Sequence, residues 1–248
     1  MPDGKRAPSV HVREILTASE PAFRKAHAML RKQFPRAEML PFRDWVNSMR
    51  EREIGLWTDT RWHLLVAERE GTVIGAASGS YLGNIAVGIV GYVAVLPGTR
   101  LNGLGPRMRR ALHRCFKRDA REVSSGPLEA IVGEVRADNP WLRTLVRREG
   151  ALALDFEYMQ PSLDDHREPV PLVLYYQPLN GRQTLDAAYV RRLLYTMWRR
   201  MYRIATPMSR PEFRRMIRSL QGRRRIGHRD LDTIDISTQS AGRSTRRR

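Results

Sequence analysis

The stretch "IAVGIVGYVAVLPGTRLNGLGPRMRRALHRCFKRDAREV", residues 85–123, limits the fold more than any other part of the chain. A β-branched run passes through a glycine-bearing loop into a segment with Met108, Ala111, Leu112, Cys115 and Phe116 on one helical face. A strand feeding a helix in this way commits the chain to an α/β layout. Gly88 and Gly91 inside the strand predict a bulge or a close backbone approach. Pro106 is expected at the first helical position. Between the two elements, "TRLNGLGPRM" is either a glycine turn or a cradle for phosphate. Helix N–H groups and the positive end of the helix dipole would converge there on an anion.

The flanking sequence supplies the partners such a layout needs. Val10–Leu16 predicts a first strand, and "SEPAFRKAHAMLRKQF" a helix with Ser19 as its N-cap and Pro21 in its first turn. "FRDWVNSMRERE" predicts a second helix. "RWHLLVAERE", Gly71 and "TVIGAASGSYL" together predict a β-hairpin. After residue 123, "LEAIVGEVRA" predicts a strand and "NPWLRTLVRREG" a helix capped by Asn139, with Pro140 at its first position and Gly150 at its end. "ALALDFEYMQP" and "PVPLVLYYQPL" predict two closing strands. The order is β-α-α-β-β-β-α-β-α-β-β, with a mixed central sheet.

Charge divides the chain. From Gly181 to Arg248 there are 18 arginines against 5 acidic residues, so this segment carries most of the net charge of +18. The expected organisation is a disordered lead-in over 1–9, a domain over 10–180 and an arginine-rich extension over 181–248. Within the extension, an amphipathic helix is predicted at about 185–205, followed by a largely flexible tail. That helix places Val190, Leu193, Leu194, Met197, Trp198 and Met201 on one face, suited to docking on its own domain or to an anionic membrane surface. No apolar run of about 18 residues predicts a membrane span. The N-terminus lacks the apolar core of a signal peptide. A lone Cys115 excludes an internal disulfide and is expected as a buried packing residue; together these point to the cytoplasm.

The glycine loop is not a Walker A motif, for no Gly-Lys-Ser/Thr follows, and its pattern stops short of the Rossmann fingerprint. Arg100-Leu101-Asn102-Gly103-Leu104-Gly105 does resemble the pyrophosphate loop of the GCN5-related N-acetyltransferases (the GNAT superfamily), Arg/Gln-x-x-Gly-x-Gly/Ala. A second segment, "GEVRADNPWLRTLVRREGA", resembles that family's later motif, with Glu134, Val135, Arg136, Asn139, Leu145 and Gly150 in register. The resemblance covers roughly residues 10–178. It implies the GNAT fold, in which the central strand splays from its neighbour and opens a V-shaped slot for acyl-CoA.

Carried onto this chain, the resemblance implies that the backbone of Val93, Ala94 and Val95 pairs with the pantetheine arm. Arg100, Leu101, Asn102, Gly103, Leu104 and Gly105 would seat the pyrophosphate, with Arg107 adding charge and Asn139 also on the cofactor side. Glu134 stands where ribosomal-protein alanine acetyltransferases of this superfamily carry their general base. Direct attack by an amine on the thioester needs no protein nucleophile, only a base, an oxyanion donor and a proton for the thiolate. Three positions depart from the family. Val146 stands where its general-acid tyrosine belongs, Ala151 replaces the phenylalanine after Gly150, and Pro106 removes one amide donor from the loop. Tyr158 or water is then left to protonate the thiolate.

The acceptor groove is expected from Glu38, Trp45 and the acidic connector containing Asp164 and Asp165, where acid could attract a cationic amine or simply be solvated. The histidines show no metal-ligand spacing, so no metal is expected. The function these features imply is acetyl transfer from acetyl-CoA to a primary amine of a small molecule or peptide. Alternatives are an N-acyltransferase drawing long acyl chains from acyl carrier protein, and a non-catalytic acyl-CoA-binding module tethered by its basic tail. That tail suits weak attachment to an anionic partner: nucleic acid, a carrier protein or a membrane surface.

Overall fold

A computed structural model describes residues 9–98, 103–163 and 168–233 of the chain. The sheet begins with β1 (His11–Glu14), which pairs antiparallel with β2 (Thr60–Arg69). β2 turns into β3 (Thr72–Leu82) as the expected hairpin. Its two turn residues, Glu70 and Gly71, both have positive φ, 49° and 73°, the geometry that matches the twist of the paired strands. β3 pairs antiparallel with β4 (Val87–Val95), and β4 runs parallel to β5 (Ala130–Val135). β8 (Val170–Pro178) closes the far side against β5, with the short β6 (Leu152–Ala153) and β7 (Tyr158–Gln160) both pairing to β8. The result is a mixed eight-stranded sheet.

Helices α1 (Pro21–Leu30) and α2 (Phe42–Glu53) cover one face through Phe23, Ala26, Leu30, Trp45 and Met49. The long α3 (Leu104–Ser124) and α4 (Pro140–Glu149) cover the other, burying Met108, Leu112, Phe116, Leu142 and Leu145. Close packing of α3 explains one of the strand glycines. A Cβ at Gly88 would sit 2.2 Å from the Phe116 ring, so only glycine lets this helix approach β4. The other, Gly91, is the extra residue of a bulge, because Ser78 pairs with Tyr92 and Gly79 with Val90.

Three local expectations are corrected. α3 starts at Leu104 rather than Pro106, because Gly103 at φ +82° turns the chain into the helix earlier, and the Arg107 amide already bonds the Gly103 carbonyl at 2.9 Å. α1 is entered through Glu20, not Ser19. The Glu20 carboxylate reaches back to the Leu16 amide at 2.7 Å, while the Ser19 hydroxyl pairs with that of Thr17. The single strand expected over "ALALDFEYMQP" is split into β6 and β7. Between them Leu154 bridges His228 and the Asp155 amide bonds the Gly227 carbonyl, so the chain bends to meet its own C-terminal segment.

That segment is the largest departure. α5 (Ala187–Arg200) sinks Val190, Leu193, Leu194, Met197 and Trp198 into the core, all fully buried. The flexible tail expected beyond the helix does not describe residues 206–233. There α6 (Pro211–Ser219) packs Phe213 and Met216 into the same core. The strand β10 (Arg225–Ile226) then pairs with β9 (Leu185–Asp186). Apolar residues at helical spacing inside a run of arginines supply the burial that holds it in place. The stretch 234–248 lies outside the described residues.

Candidate active site

β4 and β5 stay paired only from Val87–Val90 against Ala130–Gly133. Beyond that point β4 follows β3 as far as Val95 opposite Gly75, while β5 follows β8 as far as Val135 opposite Val173. The two strands therefore part, and among the described residues the β5-facing edge of Val93, Ala94 and Val95 has no strand partner. This is the splay the resemblance implies, opening where Glu134 stands on β5.

At its head lies the N-terminus of α3. Among the described residues no side chain caps it, and Pro106 has no N–H, so the first-turn amides of Leu104 and Gly105 are the donors it offers an anion. Among the described residues, a Cβ added at Gly103 or Gly105 would meet nothing within 4 Å. Arg107 is exposed on the same turn. The predicted contacts Arg100, Leu101 and Asn102 lie outside the described residues, as do Asp164 and Asp165. Asn139 is committed locally: its side-chain oxygen accepts the Trp141 amide at 3.0 Å and caps α4.

Glu134 sits on β5 at the opening of the split, half-buried. Its two carboxylate oxygens have separate donors. Tyr158 from β7 donates to Oε1 and Tyr202, beyond α5, donates to Oε2. Burial pushes the Glu134 carboxyl up to about 7; the two hydroxyls pull against that, and the charge of Glu38 adds to it. Tyr158 and Tyr202 are in turn held well above the ordinary phenol range by burial and by the carboxylate they serve.

Glu38, in the turn between α1 and α2, faces the same region. It pairs with Arg136 at 3.0 Å, and burial raises its carboxyl despite that partner. Its backbone carbonyl accepts the Tyr92 hydroxyl at 2.9 Å, and the same hydroxyl accepts the Leu40 amide at 2.9 Å, pinning the turn to β4. Trp45 is not a groove wall. It is 2% exposed and stacks under Tyr92 with ring centroids 6.0 Å apart, so it supports the site from beneath. The structure thus joins Glu134 to Tyr158 directly, brings Glu38 near them, and places Trp45 in the core.

Sequence reasoning missed Tyr202. It is held from both sides: Arg200 pairs with Asp59 at 3.0 Å, and Arg203 pairs with Glu51 at 2.7 Å and bonds Ser48 at 2.9 Å. Arg203 has φ +56°, a left-handed turn that a non-glycine residue adopts only under constraint. Val146, on α4, is half-buried against the α3 side of the core and offers no proton.

Away from the slot, Glu14, His63 and Cys115 bring potential ligand atoms within 4.8 Å of one another, a convergence that linear spacing did not reveal. His63 Nδ1 lies 2.6 Å from Glu14 and Nε2 2.5 Å from Asp119, so both ring nitrogens face carboxylates. Arg52 pairs with Glu14 from α2 at 2.7 Å. The Cys115 thiol is buried and pushed up to about 11, as befits a packing residue.

Residues 13–131 match the Acetyltransferase (GNAT) family. No curated protein matches the chain in sequence. Among solved structures, a protein assigned to the GNAT acetyltransferase family from Bacteroides thetaiotaomicron superposes with a TM-score of 0.56 at 17% identity, covering 78% of this chain and 99% of its own. An N-acetyltransferase from Staphylococcus aureus Mu50 gives 0.50 at 12% identity, covering 69% and 99%. At these identities the likeness is one of fold. Among the described residues, no helix is long and apolar enough to cross a membrane.

Proposed function

The chain carries a GNAT-family acetyltransferase domain, and on that premise we propose that it transfers an acetyl group from acetyl-CoA to a primary amine of a small molecule or peptide. The observation that carries this reading is the carboxylate of Glu134, poised near neutrality where β4 and β5 part. A general base works best when its pKa lies near the working pH.

The residues present fit an acyl-CoA. Among the described residues the β4 edge at Val93–Val95 is free to take hydrogen bonds from an extended arm, and the α3 N-terminus, with no side-chain cap and no atom crowding Gly103 or Gly105, suits a pyrophosphate. When bound, acyl-CoA supplies a thioester carbonyl activated toward an amine, with a thiolate as leaving group. Glu134 accepts the proton that the amine sheds. The proton that Glu134 accepts must reach the thiolate, and the proposed route passes through Tyr158, whose hydroxyl is bonded to that carboxylate, or through water, which returns the pair to its starting state after a turnover. Glu38 is proposed as a group on the acceptor side; its carboxylate is already paired with Arg136, so it would hold an amine by hydrogen bonding and not by net charge.

The basic C-terminal segment is read as a weak contact for an anionic partner. Arg191, Arg192, Arg223, Arg224 and Arg225 line one surface depression of about 780 Å³ near the start of α5. The deciding experiment is calorimetric titration with CoA, acetyl-CoA and longer acyl-CoAs, followed by a thiol-release screen over amines. Acetyl-CoA binding with turnover supports the proposal. Binding without turnover on any amine favours a binding module, and affinity for acyl carrier protein without CoA binding favours the long-chain alternative.

A further inference from the structure

The family match ends at residue 131, yet Glu134 is held by a hydroxyl from residue 202. We propose that Tyr202 is a positioning residue of the site: with Tyr158 it clamps the two oxygens of Glu134, so the aim and ionisation of that carboxylate depend on the C-terminal segment. The functional consequence rests on the reading of Glu134 as the base.

The geometry favours this role over packing alone. Tyr202 is half-buried, and its hydroxyl ends on a carboxylate oxygen that no other described side chain serves. The segment carrying it spans from the core helix α5 to α2, fastened by Arg200 on Asp59 and by Arg203 on Glu51 and Ser48. Such fastenings fix a side chain's position instead of leaving it to a mobile tail. The polar groups facing Glu134 are Tyr158 from β7, Tyr92 from β4, Tyr175 from β8 and Glu38 with its partner Arg136. Of these, only Tyr158 donates to it directly, so among the described residues its donors are Tyr158 and Tyr202. A hydrogen bond to the charged form favours that form. Removing one should therefore raise the pH at which Glu134 ionises.

The test is a pH titration of the full chain labelled with ¹³C at the glutamate side-chain carboxyl, followed by NMR. The Glu134 signal is identified by its absence in Glu134→Gln. In Tyr202→Phe the Glu134 midpoint should rise by about one pH unit. Tyr195→Phe, an exposed tyrosine on α5, should leave it unmoved. Site-specific 3-fluorotyrosine at 202, a more acidic donor of nearly the same size, should lower the midpoint, and it keeps the test alive if Tyr202→Phe does not fold. In thiol release, Tyr202→Phe should lose about tenfold in kcat/KM below the midpoint and rejoin the parent at high pH. A midpoint unmoved in both Tyr202 variants, or an equal loss of rate at every pH, overturns the inference. A shifted midpoint with full thiol release in Glu134→Gln upholds the clamp and instead removes Glu134 as the base.

Discussion

Arg203 grips Glu51 with both ends of its guanidinium, Nη1 to Oε1 at 2.7 Å and Nη2 to Oε2 at 2.9 Å, joining the C-terminal segment to α2 across more than 150 residues of chain. The pair fixes the backbone one residue beyond the tyrosine that serves Glu134. Both side chains keep some solvent contact, so breaking it should cost only about 0.5–1 kcal/mol of global stability. Glu51→Gln should raise amide hydrogen exchange over residues 200–204 and lower kcat, with acetyl-CoA affinity unchanged. Unaltered exchange there would show that α5 alone fixes the segment.

His63 makes stability depend on pH. Burial opposes its charge, but Asp119 and Glu14 against its two nitrogens prevail and hold its folded pKa above the ordinary value. That contribution is full below the unfolded pKa of about 6.5 and is lost as pH rises through the folded value. Glu14 runs the other way. Burial alone would raise it, yet His63 and Arg52 hold it down at about 2, so its contribution is present above its unfolded pKa and fades as pH falls toward 2. Denaturant unfolding from pH 4 to 9 should show stability falling on the alkaline side, and the fall should vanish in His63→Gln. Asp119→Asn should cost about 1–3 kcal/mol, since it removes one of the two buried carboxylates that favour the charged ring while Glu14 stays in place.

Two glycines should separate fold from function. Gly88→Ala drives a methyl into the Phe116 ring and should cost about 1–3 kcal/mol on thermal unfolding. Gly105→Ala meets no atom of the described residues within 4 Å, so its melting temperature should hold. Its new methyl stands where the pyrophosphate is proposed to rest, so calorimetry should show acetyl-CoA affinity falling about tenfold, or ~1.4 kcal/mol. Unchanged affinity would move the anion seat away from α3.

The arginines near the start of α5 predict salt-sensitive binding to polyanions. Replacing Arg192 and Arg224 by Ala should lower the salt needed to elute the protein from heparin, with thiol release untouched. Elution at the parent's salt concentration would assign the basicity to other parts of the chain.

What the sequence exposed was local chemistry. The Asn139-Pro140 start of α4 and the β2–β3 hairpin are written in a few adjacent residues, and each forms where its residues predict, while α3 begins two residues before the proline expected to open it. Glu134 was legible because its neighbours on β5 form a motif. Tyr202 was not, since nothing around it announces a partner 68 residues earlier on another strand. Trp45 looked like a groove wall because a helix face does not reveal which neighbour covers it. The His63 cluster draws on β1, α2, β2 and α3, so no single stretch displays it. Helical spacing marked the apolar stripe of α5, but not that α6 and β10 would follow it into the core.

The central claim is that Glu134 takes the proton from the attacking amine. Its most direct test is the pH dependence of thiol release from acetyl-CoA, measured for the parent and Glu134→Gln with an accepted amine. The parent's kcat/KM should rise with pH through a midpoint near 7, where burial places the carboxyl. Glu134→Gln should lose that limb and about 10²–10⁴-fold in rate while binding acetyl-CoA as tightly as before. A Gln variant that keeps both the rate and the limb would contradict the account.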